Sequence, residues 1–544
     1  MVRNVLWVSM LPVVSCPLVY GADPAPDQMP HKPPAIEEIT IVVHPVFDES
    51  NPKENNFLFR LVNKLHIDTK KHVIEKDLTF KKGEVLDKHL LEESERRLRE
   101  RRYFADAKVV AGTTQDAGQP VQVDVHEVWT LIPKITYSNT GGNTHYGYGL
   151  HDSNFLGLGK TVKVEQSSSV DRTSNIVVYR DPNFGNDKQL ALEYADNSDG
   201  KEQQFHFSSP FRSIRTPWAA GIDMLDFERE DTLYNAGEET WRFGHEGTDY
   251  SVFYGQRFNS STDDRTARWM LGWDSIKHDF FEVPTTTNSY SGELPADRDY
   301  NIAWFEYSYL HNQFIKTLNI QQINRTEDFN LGSQWRARIG KVIANSEPLD
   351  GATLLELQYG KAFQFSPSQL LTSEILTSGF YSSKQSTQAV SKIDISYHWQ
   401  NFSRGQFYVM LNETYGRNLF ADTPLELGGD TGLRGYPARF MAGDRSRLLT
   451  VEQRYFGETE WFSLFHLGAA IFYDEGKAWG NTSVPQTYQS TMRDVGIGLR
   501  ISGTRTGGRN DGAHNVGHID LAFPLDGGPE IDKYQISVRI KTGF

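Results

Sequence analysis

Tyr534-Gln535-Ile536-Ser537-Val538-Arg539-Ile540-Lys541-Thr542-Gly543-Phe544 ends the chain with a period of two. Successive side chains of a strand point to opposite faces. Tyr534, Ile536, Val538, Ile540 and Phe544 therefore share one face, and Gln535, Ser537, Arg539 and Lys541 share the other. In a soluble sandwich such a strand packs its apolar face against a second sheet. In a membrane barrel the apolar face meets lipid and the polar face lines a wet lumen. Alternation alone leaves both architectures open.

The same pattern extends back to Trp129. Short alternating segments such as Ala352–Phe365, ATLLELQYGKAFQF, and Gly405–Gly416, GQFYVMLNETYG, recur between Gly, Asn, Asp and Ser clusters. Helical periodicity is absent from this region. At the other end of the chain, Arg3 precedes a short apolar stretch from Val5 to Leu18, followed by Gly21 and Ala22. This reads as a secretory signal over residues 1–21, too short to span a bilayer, with cleavage after Gly21. Val13-Val14-Ser15-Cys16 loosely fits a lipobox, but Pro17-Leu18-Val19 continues the apolar run past Cys16, which disfavours lipidation. An export signal followed by alternating strands and a terminal aromatic points to a transmembrane β-barrel over residues 129–544. At roughly 25 residues per strand and connection, the barrel has about 16 antiparallel strands. An even number returns the C-terminus to the side on which the barrel begins.

Bulk properties agree and exclude several alternatives. The net charge is −14, which argues against a nucleic-acid partner, since phosphate binding needs clustered Lys and Arg. Mean hydropathy is −0.52, and no later apolar run could form a transmembrane helix. With Cys16 the single cysteine, no internal disulfide can form. No Ser–His–Asp set, HExxH, nucleotide loop or metal-ligand spacing stands out, and the 16 histidines are scattered. The expectation is a protein that is not an enzyme, with no catalytic residues, no metal and no cofactor.

Residues 22–35 form a Pro-rich linker, and residues 36–128 a small α+β domain. Ile36–Val43 has strand composition. Asn55–His66 places Phe57, Leu61 and Leu65 on one face of a short helix. Asp87 caps a second helix in which Leu91, Ser94 and Leu98 form a stripe, and its charges between Glu92 and Arg102 read as a solvated face with pairs such as Glu93–Arg97. Two strands follow, Ala107–Ala111 and Gln122–Val128.

Several of these segments resemble the superfamily of outer-membrane insertases and translocases that includes BamA, TamA and the two-partner secretion transporters. Phe80–Asp87, Leu91–Leu98 and Arg102–Ala107 look like the strand, helix and "YF" turn of a single POTRA domain. Leu427-Gly428-Gly429-Asp430-Thr431-Gly432-Leu433-Arg434-Gly435-Tyr436 is similar to the family's loop motif, whose Arg-Gly-aromatic tip folds into the lumen. Val451–Tyr455 and Phe472–Gly476 resemble the two strands that follow it. Phe544 resembles the C-terminal aromatic by which general barrel-assembly machinery recognises its substrates. One POTRA-like unit is fewer than such proteins usually carry.

Physical chemistry supplies a role for the loop. Its glycines permit a tight return, and Arg434 carries a permanent charge inward that needs partners. On Leu449–Glu452 the apolar residues point out and Glu452 points in; on Ile471–Asp474, Asp474 points in. Arg434 is expected to bridge Asp474 and Glu452, with Gly435 and Tyr436 packed beside it. The plain alternative is a solvated loop arginine above a pore lined by acids. The resemblance implies an outer-membrane protein with its POTRA domain in the periplasm, bound to the lipid bilayer and to an unfolded client or secreted polypeptide. It would insert or translocate polypeptides without ATP through a seam between the first strand, around Trp129–Tyr137, and the last, Lys533–Phe544. A dedicated secretion pore for one partner, and a passive porin-like barrel, are the alternatives.

Overall fold

A computed structural model describes residues 34–541 apart from 114–117, 186, 260–261, 263, 285–292, 345–348, 506–515 and 529–530. The signal over 1–21, with Cys16, and most of the linker lie outside the described residues, as does Phe544.

The N-terminal domain is a three-stranded sheet covered by helices. Strands β1 (Ile36–His44), β2 (Phe104–Ala111) and β3 (Gln119–Glu127) are ordered β1-β3-β2, with β1 parallel to β3 and β2 antiparallel to it. Between β1 and β2 run α1 (Phe57–Leu65), a one-turn helix α2 (Lys71–Glu75) with too few residues to show a sequence period, and α3 (Lys88–Arg99). Asp87 caps α3 by accepting the His89 amide. Burial works against the Asp87 charge, but the Arg215 guanidinium and the His89 amide hold its carboxyl below the ordinary range. Val121, Val123 and Val125 pack with Leu91, Leu98 and Phe104 in the core. The apolar face of α1 behaves differently: Phe57, Leu58, Leu61 and Leu65 are exposed.

The remainder is a closed antiparallel barrel of 20 strands, from Leu131–Thr140 to Gln535–Lys541. The expectation of about 16 undercounts for a definite reason. The first six strands, between Leu131 and Ser209, are short and, except for the eight-residue connection around Gly157, joined by tight turns, so each uses far fewer residues than assumed. Wall height varies accordingly. Strands Trp218–Asn235 and Glu238–Arg257 have 18 and 20 residues, whereas Val516–Pro524 and Gln535–Lys541 have nine and seven. The wall is lowest where the sheet closes.

Alternation sorts each strand. On Phe465–Trp479, Ala470, Phe472 and Asp474 are buried inward while Ile471 is 66% exposed on the outer face. Outward Tyr148, Leu150, Ile222, Val252, Leu271, Phe305, Ile339 and Ile497 extend this apolar surface around the barrel. So much exposed apolar surface fits lipid rather than water. The strands alternate in direction, so the rim carrying the N-terminal domain (the near rim) also receives the last strand. Truncating Leu98, the fully buried α3 residue facing the sheet, to Ala is expected to destabilise the N-terminal domain by about 2–5 kcal/mol. Denaturant unfolding of that domain measures it, while the heat-dependent gel mobility of the barrel stays unchanged.

Candidate functional site

The connection from the strand Gly405–Arg417 to the strand Arg445–Trp461 starts at the far rim and turns back into the lumen. A short pair of strands, Leu425–Leu427 and Met441–Gly443, forms its stem. Leu433, Tyr436, Phe440 and Met441 are buried in an apolar cluster with Leu448 and Met492 from the wall. The tip is tight. A Cβ on Gly435 would fall 2.6 Å from the Asp494 side chain, and one on Gly428 would fall 2.4 Å from the Pro437 carbonyl. Gly432 has φ +126°, a conformation side chains disfavour.

The apolar cluster carries Arg434 to the middle of the wall, where it is fully enclosed. Its Nε and Nη2 donate to the two Asp474 oxygens at 2.7 and 2.9 Å, and Nη1 donates to Glu452 Oε1 at 2.8 Å. The guanidinium lies 3.4 Å from the Phe472 ring centroid. Thr450 donates to Asp474 at 2.8 Å. Gly435 donates its amide to Asp494 at 2.9 Å. The Tyr436 hydroxyl sits 2.8 and 3.0 Å from the carbonyls of Arg493 and Asp526. The structure thus brings Arg434, Gly435, Tyr436, Glu452 and Asp474 together.

The group is larger than those five residues. Arg454 donates to Glu452 at 2.7 Å and to Gln406 at 3.1 Å, and Arg500 donates to Asp520 at 2.6 Å. Arg539, on the last strand, lies 3.7 Å from Asp520. These four arginines share the space with the carboxyl groups of Glu452, Asp474, Asp494 and Asp520, and a buried cation needs such partners. Apart from Arg434, all of them occupy inward positions of the last five strands, so parity marks them in sequence, but parity does not say which partners meet.

The loop also straddles the closure of the barrel. Ala438 donates its amide to Gly141 in the first hairpin at 3.0 Å, and Arg539 donates to the Gly429 carbonyl at 3.3 Å. Arg439 pairs with Asp171 at 2.8 and 2.7 Å. Among the described residues the first and last strands are joined at a single register pair, Val538 with Asn139. The last two strands pair at seven positions. Tyr534, Ile536 and Ile540 point outward, exposed, beside that closure, and Gln535 and Ser537 point inward.

A second element carries no motif. The near-rim connection after the strand Arg298–His311 forms a hairpin of Phe314–Leu318 with Thr326–Asn330, outside the barrel sheet. Its tip enters the lumen: Gln406 donates to the Asn319 carbonyl at 3.0 Å, and Ile323 packs on Phe456 and Ala470. Its base is held by α3. Arg99 grips Asp328 at 2.9 and 2.8 Å, Lys316 pairs with Glu95, and Arg96 stacks on Phe314 at 3.7 Å. Of the α3 charges expected to be solvated, Glu95, Arg96 and Arg99 are therefore docking contacts, Lys88 and Glu92 form an exposed pair, and Arg97 lies nearest Asp77. The unusual length of this connection is the sole sequence signal for the hairpin. His66, Asp68 and Glu127 are the one group of His and carboxylates among the described residues close enough to hold a metal. Glu127 is already engaged by His66 and by the Thr69 amide and hydroxyl.

The signature of the family described as "POTRA: Surface antigen variable number repeat" matches residues 64–128. The N-terminal domain is a POTRA domain. A POTRA domain in front of a closed barrel makes the chain similar to the outer-membrane insertase and translocase superfamily, with a single POTRA unit among the described residues. No curated protein matches the sequence. Among solved structures, CdiB from Escherichia coli aligns with TM-score 0.48 and 12% identity over 94% of this chain and 77% of that one. CdiB from Acinetobacter baumannii aligns with TM-score 0.46 and 11% identity over 94% and 74%. BamA from Haemophilus ducreyi lacking POTRA domains 1–3 aligns with TM-score 0.38 and 12% identity over 93% and 84%. At these values the likenesses decide nothing about this chain's role.

Replacing Arg434 with Ala leaves Asp474 and Glu452 short of a buried cation, at a cost of about 3–5 kcal/mol. Lys cannot reproduce the fork. Both variants should lose compact gel mobility at lower temperature than the parent, with Lys intermediate at best. At the near rim, burial works against the Glu95 charge, but Lys316, Arg99 and the Val109 amide hold its carboxyl below the ordinary 4.5. Its contribution to the POTRA–hairpin clasp is complete above 4.5 and is lost as pH falls through the lowered value. Pepsin cleavage within residues 312–333 should rise over that range in the parent and vary less with pH in Glu95→Gln.

Proposed function

We propose that the protein inserts or translocates polypeptides at the bacterial outer membrane without ATP, with the POTRA domain in the periplasm and the closure of the barrel as the working element. The single register pair between the first and last strands carries this reading. Backbone N–H and C=O groups left unpaired against lipid are costly, and an incoming client strand can satisfy them. The low wall on either side reduces the number of bonds that opening must break. The loop carrying Arg434 touches both edges from inside, which suits it to fix the closed shape. No catalytic residue or cofactor is needed for strand exchange of this kind.

A dedicated pore for one secreted partner is the second reading. It is favoured by the Phe314–Asn330 hairpin, which occupies the lumen of a wide barrel and is held by the POTRA domain. A stopper of that kind suits a conduit.

Proteomics of outer-membrane fractions and culture medium, with and without the protein, separates the two. Broad loss of barrels marks an assembly factor, and loss of one secreted protein marks a dedicated pore. In either case a disulfide between Asn139→Cys and Val538→Cys, a register pair within bridging reach, is expected to leave the barrel folded and abolish that phenotype-linked activity. Reductant should restore it. An oxidised variant with parental activity would remove the seam from the mechanism.

A further inference from the structure

Helix α1 is amphipathic in an unusual sense. Phe59, Val62 and Asn63 face the POTRA body: Phe59 stacks on Phe47 at 3.9 Å, and Asn63 donates to the Phe47 carbonyl at 2.8 Å. Phe57, Leu58, Leu61 and Leu65 form a second apolar stripe that covers nothing, and Phe57 is 70% exposed. Arg60 and Lys64 flank that stripe on the adjoining surface. A soluble domain does not keep four large apolar side chains contiguous and open to water without a partner.

Both ends of α1 are fastened to the near rim. Ahead of it, Arg505 donates to the Val46 carbonyl at 3.2 Å and to Glu54 at 2.9 Å, and also to the Ser463 carbonyl in the turn between two barrel strands at 3.3 Å. Behind it, Asn154 donates to Thr69 at 2.8 Å, and Lys70 donates its amide to the Gly157 carbonyl at 2.9 Å. Gly157 has φ +70°, and a Cβ there would lie 2.3 Å from the Asp68 carbonyl, so the domain sits against this turn without a gap. The two rim turns reached in this way themselves carry exposed apolar side chains. Trp461, Phe462 and Leu464 lie on one and Phe155 and Leu156 on the other, with Ile67 exposed next to the second. The segments on either side of α1 are thus fastened to two rim turns, one on each side of the closure, whose exposed side chains are apolar like the barrel's outer face.

We propose that α1 is an interfacial anchor, with Phe57, Leu58, Leu61 and Leu65 inserted into the phospholipid leaflet on the POTRA side of the membrane. This rests on the membrane placement proposed above. Arg60 and Lys64 would lie at the level of the lipid phosphates, where cationic side chains on an apolar helix settle. Attachment between two rim turns that themselves expose apolar side chains, together with the basic flank, favours lipid over a protein occupant. The anchor holds the POTRA domain beside the seam.

The test uses the full chain with Cys16→Ser, in liposomes of phosphatidylethanolamine and phosphatidylglycerol, carrying one environment-sensitive fluorophore. Reporter sites are Leu61→Cys, Ile471→Cys on the outer wall, and Lys82→Cys near the start of β1, away from the rim. Quenching by doxyl-labelled phospholipid at 61, comparable in extent with 471 and absent at 82, is the expected result. Quenching at 471 but not at 61 overturns the anchor while leaving the barrel in the membrane. Absence at both sites overturns the membrane placement itself. A reporter at 61 shielded from aqueous iodide but not quenched by doxyl lipid also overturns the proposal, in favour of a protein occupant. A Leu58→Glu substitution, at an exposed position that the fold does not need, should reduce quenching at 61 without changing barrel gel mobility.

Discussion

The guanidinium of Arg434 is held on three sides by charged oxygens in a space that excludes water. A cation in such a place is tolerable only if its partners are fixed before it arrives. Asp474 and Glu452 meet that condition because they project inward from adjacent, fully paired strands of the barrel wall. The rest of the loop follows from it. Gly435 must lack a side chain to reach Asp494, and Tyr436 must turn toward the Arg493 carbonyl. Buried ion pairs add little net stability compared with apolar packing of the same volume, and their stronger effect is on which arrangement forms. The apolar cluster around Leu433 and Phe440 supplies the burial, and the arginine selects the register in which the loop seats.

The carboxylates do not act alone. Asp474 and Asp494 stand directly opposite each other on neighbouring strands, an arrangement that repels unless cations and amide donors divide the charge. Arg434 takes the first and the Gly435 amide takes the second. Glu452 is shared between Arg434 and Arg454, and Arg454 also donates to Gln406. Gln406 in turn donates to Asn319 in the near-rim hairpin, whose base is gripped by Glu95 and Arg99 of the POTRA domain. Polar contacts at the two ends of the hairpin, joined by the hairpin's own backbone, therefore lead from α3 to the loop at the seam. Such contiguity gives the domain a physical route to the loop tip through the lumen.

Parity is what made the barrel readable. It placed Glu452 and Asp474 inward from four-residue stretches, and the Gly-rich frame together with its resemblance to the family's loop motif placed Arg434 beside them. The same rule applies to Arg454, Asp494, Arg500, Asp520 and Arg539, yet their partnerships depend on strand register, which turn lengths and bulges set and which alternation does not encode. The strand count failed for a related reason: tight turns between the first six strands leave few loop residues, so a uniform length per strand overestimates their cost in chain. The hairpin Phe314–Asn330 was silent because two five-residue strands with mixed faces carry too little periodicity to register.

Helix α1 shows the opposite case, in which periodicity was plain but its meaning depended on context. Phe57, Leu61 and Leu65 at helical spacing would be core residues in an isolated domain, and the solvent-facing stripe would be an error of folding. Attached to a barrel, the domain no longer ends at its own surface. Arg505 and the turn at Gly157 bring the helix to the rim, where the neighbouring surface is already apolar. The number of sides on which a helix is apolar thus reports how many media it touches. Here one side meets the POTRA body and the other stands open near rim turns with exposed apolar side chains, which suits a single nine-residue helix to hold the domain beside the seam.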